Sequence, residues 1–259
     1  MESANLIERY EFKYLIPERL VASIRATAQG ICSRDRHAGP DGTYVIRSLY
    51  FDTDKFQLYW ANEREQADRF KLRVRGYPGK KAPVFLEVKR RVYDVILKTR
   101  GALPDNRWKA VLEGSEPPSI AMGGAAGQRA VEHFIYRMWR NHIKPKMLVE
   151  YDREAYESTI NKYARLTFDR KVRCQPKETL DLDADPKRWR PVDNPLRTKT
   201  NEAICVLELK FEDTPPSWMM SLVKSLDLVR YSFSKYCYSV DAQLMLPQNR
   251  GVNPAWEPS

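Results

Sequence analysis

Apolar and polar residues alternate with a period of two in eight separate segments of this chain: 7–16, 44–51, 70–77, 84–90, 92–100, 147–153, 165–172 and 203–211. Each segment is rich in β-branched or aromatic side chains. That period belongs to β-strands, whose successive side chains point to opposite faces of a sheet. Eight strands along the whole length, with few helices between them, predict an α+β, mainly β fold. The expected form is a closed antiparallel eight-stranded β-barrel with helices packed outside. Helical periodicity is clearest over 128–143, where Val131, Phe134, Ile135, Met138 and Trp139 share a face, and shorter helices are expected at 17–29, 56–63 and 218–228. The Pro- and Asp-rich stretch 179–195 reads as a loop. One domain is expected over 1–246, with a poorly ordered tail at 247–259.

Composition narrows the chemistry. Lys and Arg number 44 against 34 Asp and Glu, a net charge of +10 over 259 residues. An excess of cations points to an anionic ligand: nucleic acid, phosphate or an acidic surface. Cys32, Cys174, Cys205 and Cys237 are scattered without a CxxC, so zinc is not expected and the thiols should be reduced. His37, His133 and His142 form no HxxxH or HxH cluster, which argues against a His-based metal site or a Ser–His–Asp triad. Any chemistry must therefore use Glu, Asp, Lys, Arg and Tyr. No apolar run approaches a membrane span, and the start carries no signal-peptide pattern, so a cytoplasmic protein is expected.

Strand period sorts the charged side chains onto shared faces. Lys71, Arg73 and Arg75 lie opposite Phe70, Leu72 and Val74; Glu87 and Lys89 lie opposite Leu86 and Val88; Glu208 and Lys210 lie opposite Leu207 and Leu209. Arg9, Glu11 and Lys13 are in phase, as are Tyr151 with Arg153, and Arg165 with Asp169. Such faces are either the solvated outside of an antiparallel sheet or the lining of a polar interior. An interior so charged would need counter-charge, which a polyanion and a divalent metal supply. Periodicity alone leaves both orientations open.

Arg9–Tyr14, Ser48-Leu-Tyr50-Phe-Asp52-Thr, Phe70-Lys71-Leu-Arg73-Val-Arg75-Gly-Tyr and Phe85-Leu-Glu87-Val-Lys89 follow one another along the chain. Lys98-Thr-Arg100, Glu150-Tyr151-Asp-Arg153, Leu166-Thr-Phe-Asp169, Val206-Leu-Glu208-Leu-Lys210 and Phe233-Ser234-Lys235-Tyr236 complete the series. In this order, across about residues 7–240, they resemble the VTC domain, the polyphosphate polymerase branch of the triphosphate tunnel metalloenzymes. The resemblance implies a barrel whose charged faces line a tunnel. It assigns phosphate binding to Lys13, Arg73, Arg75, Lys89, Lys98, Arg153, Ser234 and Lys235, with Tyr151 as the tunnel tyrosine. It implies Mn²⁺ or Mg²⁺ on Glu208, with Glu11 and Glu87 as further metal candidates; Lys71 and Lys210 join the substrate-binding set, and Arg165 and Asp169 are lesser site candidates. The related CYTH branch begins Glu-x-Glu-x-Lys; Arg9 stands at the first of these positions here, which favours the VTC-like reading. No phosphate-sensing SPX region before the domain and no membrane helices after it are expected.

The implied reaction is polyphosphate synthesis from ATP. Phosphoryl transfer needs alignment and charge neutralisation, and a terminal phosphate acceptor is already anionic and needs no general base. Water as acceptor in the same site would give a tri- or polyphosphatase, and a third reading is a catalytically weak polyanion-binding module. Nucleic acid is not expected as a partner, since no recognition helix or RNP-type motif accompanies the charge. Gly123-Gly124-Ala-Ala-Gly127 lacks the Walker Lys–Ser/Thr and reads as a flexible linker. Trp60, Trp108, Trp139, Trp189 and Trp218 read as packing residues.

Overall fold

All eight alternating segments are strands. In the computed structural model, which describes residues 9–93, 95–193 and 202–244, they are β1 (Arg9–Pro17), β3 (Thr43–Asp52), β4 (Asp68–Gly76), β5 (Val84–Val92), β6 (Val95–Leu103), β7 (Lys144–Ser158), β8 (Ala164–Pro176) and β10 (Ile204–Glu212). Two short strands, β2 (Cys32–Arg34) and β9 (Arg190–Pro191), add to them. The sheet is antiparallel throughout, in the order β1-β10-β8-β7-β3-β4-β5-β6, with β2 on β7 and β9 on β8. The tail at 247–259 lies outside the described residues.

The expected closed eight-stranded barrel is not what forms. Among the described residues the sheet has ten strands, and its two ends, β1 and β6, do not pair with each other. Part of the reason lies at the β6 edge, where Met122 N–H bonds the Ala102 carbonyl at 2.9 Å and so takes backbone that a closing strand would need. The rest lies inside, where a helix occupies the space.

Six helices accompany the sheet among the described residues: α1 (Glu18–Gln29), α2 (Gln57–Glu63), α3 (Trp108–Glu113), α4 (Gly124–Arg140), α5 (Ser217–Ser225) and α6 (Lys235–Leu244). α3 and α4 cover the apolar face of β3–β6, where Trp108, Val131 and Phe134 pack on Leu49, Leu72, Val74, Leu86 and Val88. α1 and α5 cover the apolar face of β1, β10 and β8, where Ile24 and Leu222 meet Ile16, Leu166, Phe168, Leu207 and Leu209. Each fully buried side chain of this size contributes roughly 1.5–3 kcal/mol, so these two layers decide which way the sheet faces. The apolar faces turn out to the helices, and the charged faces turn in.

α6 is the exception to helices outside. It lies on the inner face, where Tyr236, Cys237, Tyr238 and Val240 pack on Ile46, Met147, Val149, Val172, Cys174 and Val206. Two further expectations are corrected. The glycine segment is not a linker: Gly124 and Gly127 begin α4, and Gly127 lies so close to the preceding turn that a Cβ would sit 1.9 Å from the Met122 carbonyl oxygen. Trp108 is buried, but Trp139 is 62% exposed and Trp60 40%, so those two are not core. Trp139 lies in the last turn of α4.

Candidate active site

Cross-strand register carries the charged residues around the inner face as neighbours. Glu11 pairs with Lys210 and Lys13 with Glu208 between β1 and β10; Arg153 pairs with Asp169 between β7 and β8. Arg73 faces Glu87 between β4 and β5, which faces Arg100 on β6, and Lys71, Lys89 and Lys98 line up one step along. Two groups result.

The first centres on Glu87, which is 2% exposed. Arg73 Nε donates to it at 2.6 Å, and Arg75 Nη2 lies 3.1 Å, Lys98 Nζ 3.4 Å and Arg100 Nε 3.9 Å from its carboxylate. Burial works against the charge on Glu87, but Arg73, Arg75 and Lys98 hold its carboxyl well below the usual range. One carboxylate among four cations leaves this group strongly positive. Lys98 bears the strain: burial, with Arg73 and Arg75 nearby, pushes it down to about 8 despite Glu87. Arg75 Nε is buried without a hydrogen-bond acceptor, an unsatisfied donor in an anion-seeking place.

The second group centres on Asp169 and Glu208, both buried. Arg153 forks onto Asp169 at 2.6 and 2.7 Å and reaches Glu208 at 3.1 Å. Lys235 Nζ, at the start of α6, lies 2.5 Å from Asp169 and 3.2 Å from Glu208, and 4.7 Å from the ring centre of Tyr151. Lys210 bonds Glu208 at 2.6 Å. Burial raises Asp169 and Glu208, but the cations around them win and both stay ionised; the same carboxylates, against burial, hold Lys235 well above its ordinary value. Lys13 lies between Glu11 at 3.2 Å and Glu208 at 3.8 Å.

Three further contacts tie the two groups and the segment leading into α6 together. Lys89 on β5 approaches Glu11 on β1 at 3.9 Å, which shows how far the sheet curls. Lys13 Nζ donates to the Phe233 carbonyl at 3.0 Å, and Lys71 Nζ to Ser234 Oγ at 2.9 Å. Ser234 Oγ also accepts the Cys237 N–H at 3.3 Å and so caps α6. Both its lone pairs are engaged, which leaves the hydroxyl proton as its capacity toward an anion.

The structure thus gathers Lys13, Lys71, Arg73, Arg75, Lys89, Lys98, Tyr151, Arg153, Lys210, Ser234 and Lys235 on one face with Glu11, Glu87 and Glu208. Asp169 holds a central place that its rank in the sequence reading did not give it. Arg165 lies on the same face, opposite Lys210 between β8 and β10, with its guanidinium paired to Asp35 at 2.6 Å. Sequence reasoning missed Arg100, which stacks 3.6 Å over Phe85; its period-two step from Lys98 was the available signal.

The curled antiparallel sheet thus sets excess cations around a few buried carboxylates on its inner face. The family model of the VTC domain matches residues 8–244, and the chain belongs to the VTC domain family. Among solved structures it is similar to a candidate adenylate cyclase of Bacillus halodurans, at 16% identity and a TM-score of 0.45 over 86% of this chain and 92% of that one. It is also similar to the PH1819 protein of Pyrococcus horikoshii OT3, at 12% identity and a TM-score of 0.41 over 91% and 98%. No helix among the described residues is long and apolar enough to cross a membrane.

Proposed function

We propose that this protein transfers phosphoryl groups between phosphates held on its inner face, synthesising polyphosphate from ATP. The observation that supports this is the pairing of two cation-rich groups on one face, each with fewer carboxylates than cations. Arg73, Arg75 and Arg153 present planar forks that fix phosphate oxygens in direction; Lys13, Lys89, Lys98 and Lys235 add charge without fixing direction. A terminal phosphate held by such groups is an acceptor that needs no base, in keeping with a site free of histidine.

The family resemblance implies Mn²⁺ or Mg²⁺. The donors suit a hard cation: Glu208 and Glu11 on adjacent strands offer carboxylate oxygens, while Glu87 belongs to the other group. Among the described residues no three Asp, Glu, His or Cys side chains converge on one point, so an ion here would draw its remaining ligands from phosphate oxygens and water, as Mg²⁺ commonly does. When bound, such an ion neutralises charge on the transferring phosphate.

The test is purified protein with ATP and Mn²⁺ or Mg²⁺. Long-chain product on a stained gel is the expected result. Free phosphate alone would assign the face to a tri- or polyphosphatase, and tripolyphosphate binding without turnover would reduce it to a binding module.

A further inference from the structure

The two ion groups come from different parts of the sheet, and a triphosphate served by both needs them in fixed register. A buried chain of contacts runs between them. Tyr236 follows Lys235 in α6, and its hydroxyl donates to Asp52 Oδ2 at 2.5 Å. Its ring stacks on Tyr50, with centroids 5.1 Å apart and planes 23° from parallel. The Tyr50 hydroxyl accepts from Arg73 Nη1 at 3.2 Å. Asp52 has no exposed surface and is itself immobilised, because it accepts the backbone N–H groups of Thr53, Leu58 and Tyr59 at 2.7, 2.8 and 2.9 Å. One carboxylate therefore holds the start of α2, the end of β3 and the first turn of α6.

We infer that Asp52, Tyr236 and Tyr50 are positioning residues that hold Lys235 and Arg73 in the relative placement the reaction needs. The assignment rests on the phosphoryl-transfer reading above. None of the three carries a charge to the phosphates. Lys235 is still tethered to Asp169 and Glu208 without Tyr236, and Arg73 is still tethered to Glu87 without Tyr50, so losing the brace leaves the cations present but less well aligned. Misalignment costs turnover more than it costs binding.

Tyr236→Phe keeps the ring stack and removes one hydroxyl. It is expected to lower kcat for ATP about tenfold while changing the calorimetric Kd for tripolyphosphate less than about threefold. Asp52→Asn, which keeps an oxygen for the Thr53 and Leu58 N–H groups but turns an amide NH2 toward the Tyr59 N–H and the Tyr236 hydroxyl, should act in the same direction, and the double variant should be no worse than the stronger single one, as for residues in one contact chain. Tyr50→Phe tests the other end independently. Unchanged kcat in Tyr236→Phe and Tyr50→Phe, with an active wild type, overturns the brace alone. Parallel losses in kcat, affinity and melting temperature overturn it in favour of a purely structural role. Wild-type protein that binds tripolyphosphate without turning over ATP removes the reading beneath it and this assignment together.

Discussion

Glu87→Gln is the sharpest test of the inner face. The change keeps shape and one acceptor oxygen but removes the charge that serves Arg73 at 2.6 Å and Arg75 at 3.1 Å. Removing one partner of a buried ion pair costs about 3–5 kcal/mol. Lys98 and Arg100, with side chains 51% and 44% exposed, are screened by water and add little, so the lower end applies: about 3 kcal/mol. For a chain of this size that lowers the melting temperature by roughly 6–12 °C. Tripolyphosphate should then restore the variant more than it raises wild type, because it brings the missing negative charge; saturation at about a hundred times Kd is worth about 2.7 kcal/mol on its own. Differential scanning calorimetry with and without tripolyphosphate, at low and moderate salt, reads all of this. A variant as stable as wild type, or one that tripolyphosphate fails to rescue preferentially, would refute the idea that these cations share a buried anion-binding face.

Three further outcomes are expected. Lys98 lies at about 8 against an ordinary 10.5, so it loses its proton as pH rises through 8, and polyanion binding should pull the proton back. Tripolyphosphate affinity should weaken up to about tenfold from pH 7 to pH 9 relative to Lys98→Arg, with proton uptake near pH 8 in calorimetry across buffers, absent in that variant. Asp193, which accepts the Val172 N–H at 2.6 Å, is raised by burial to about 6 from 3.8; the fold thus prefers its protonated form, and it costs stability progressively as pH climbs from about 4 to 6. Asp193→Asn should gain on wild type across that window in urea melts, by at most about 3 kcal/mol. Gly127→Ala puts a Cβ against the Met122 carbonyl and should cost about 1–3 kcal/mol by the same measurement, with Gly101, itself packed against the α4 backbone, as a second site of the same kind.

The strands were legible because half-buried strands write their period into the sequence; Leu72, Val74, Leu86, Val88, Leu207 and Leu209 all fall where alternation put them. The family resemblance brought the site residues into one set. Orientation was not legible, since a sheet with charges inside and a sheet with charges outside have the same period of two. α6 was invisible for a related reason: Lys235 through Ala242 are all buried, and a helix enclosed on every side shows no amphipathic stripe. α3 is too short to show one, and β2 and β9 are too short for alternation. Asp52 gave no signal of its role, because its partners are backbone groups and a tyrosine 184 residues away.

An inner face filled by α6 also sets the order in which the molecule can be completed. The Tyr231 N–H bonds the Lys13 carbonyl at 2.8 Å, and the Lys13 ammonium reaches a carbonyl 220 residues further on. Until residues 231–244 are in place, Ile46, Met147, Val149, Val172 and Val206 have no cover, and Lys13 and Lys71 lack their bonds to Phe233 and Ser234. Contacts this distant in sequence are slow to form, and a sheet waiting for them exposes apolar surface and strand edges. A nascent chain therefore carries an unfinished sheet until α6 has emerged from the ribosome, and the charges gathered on the inner face keep that surface wet until then.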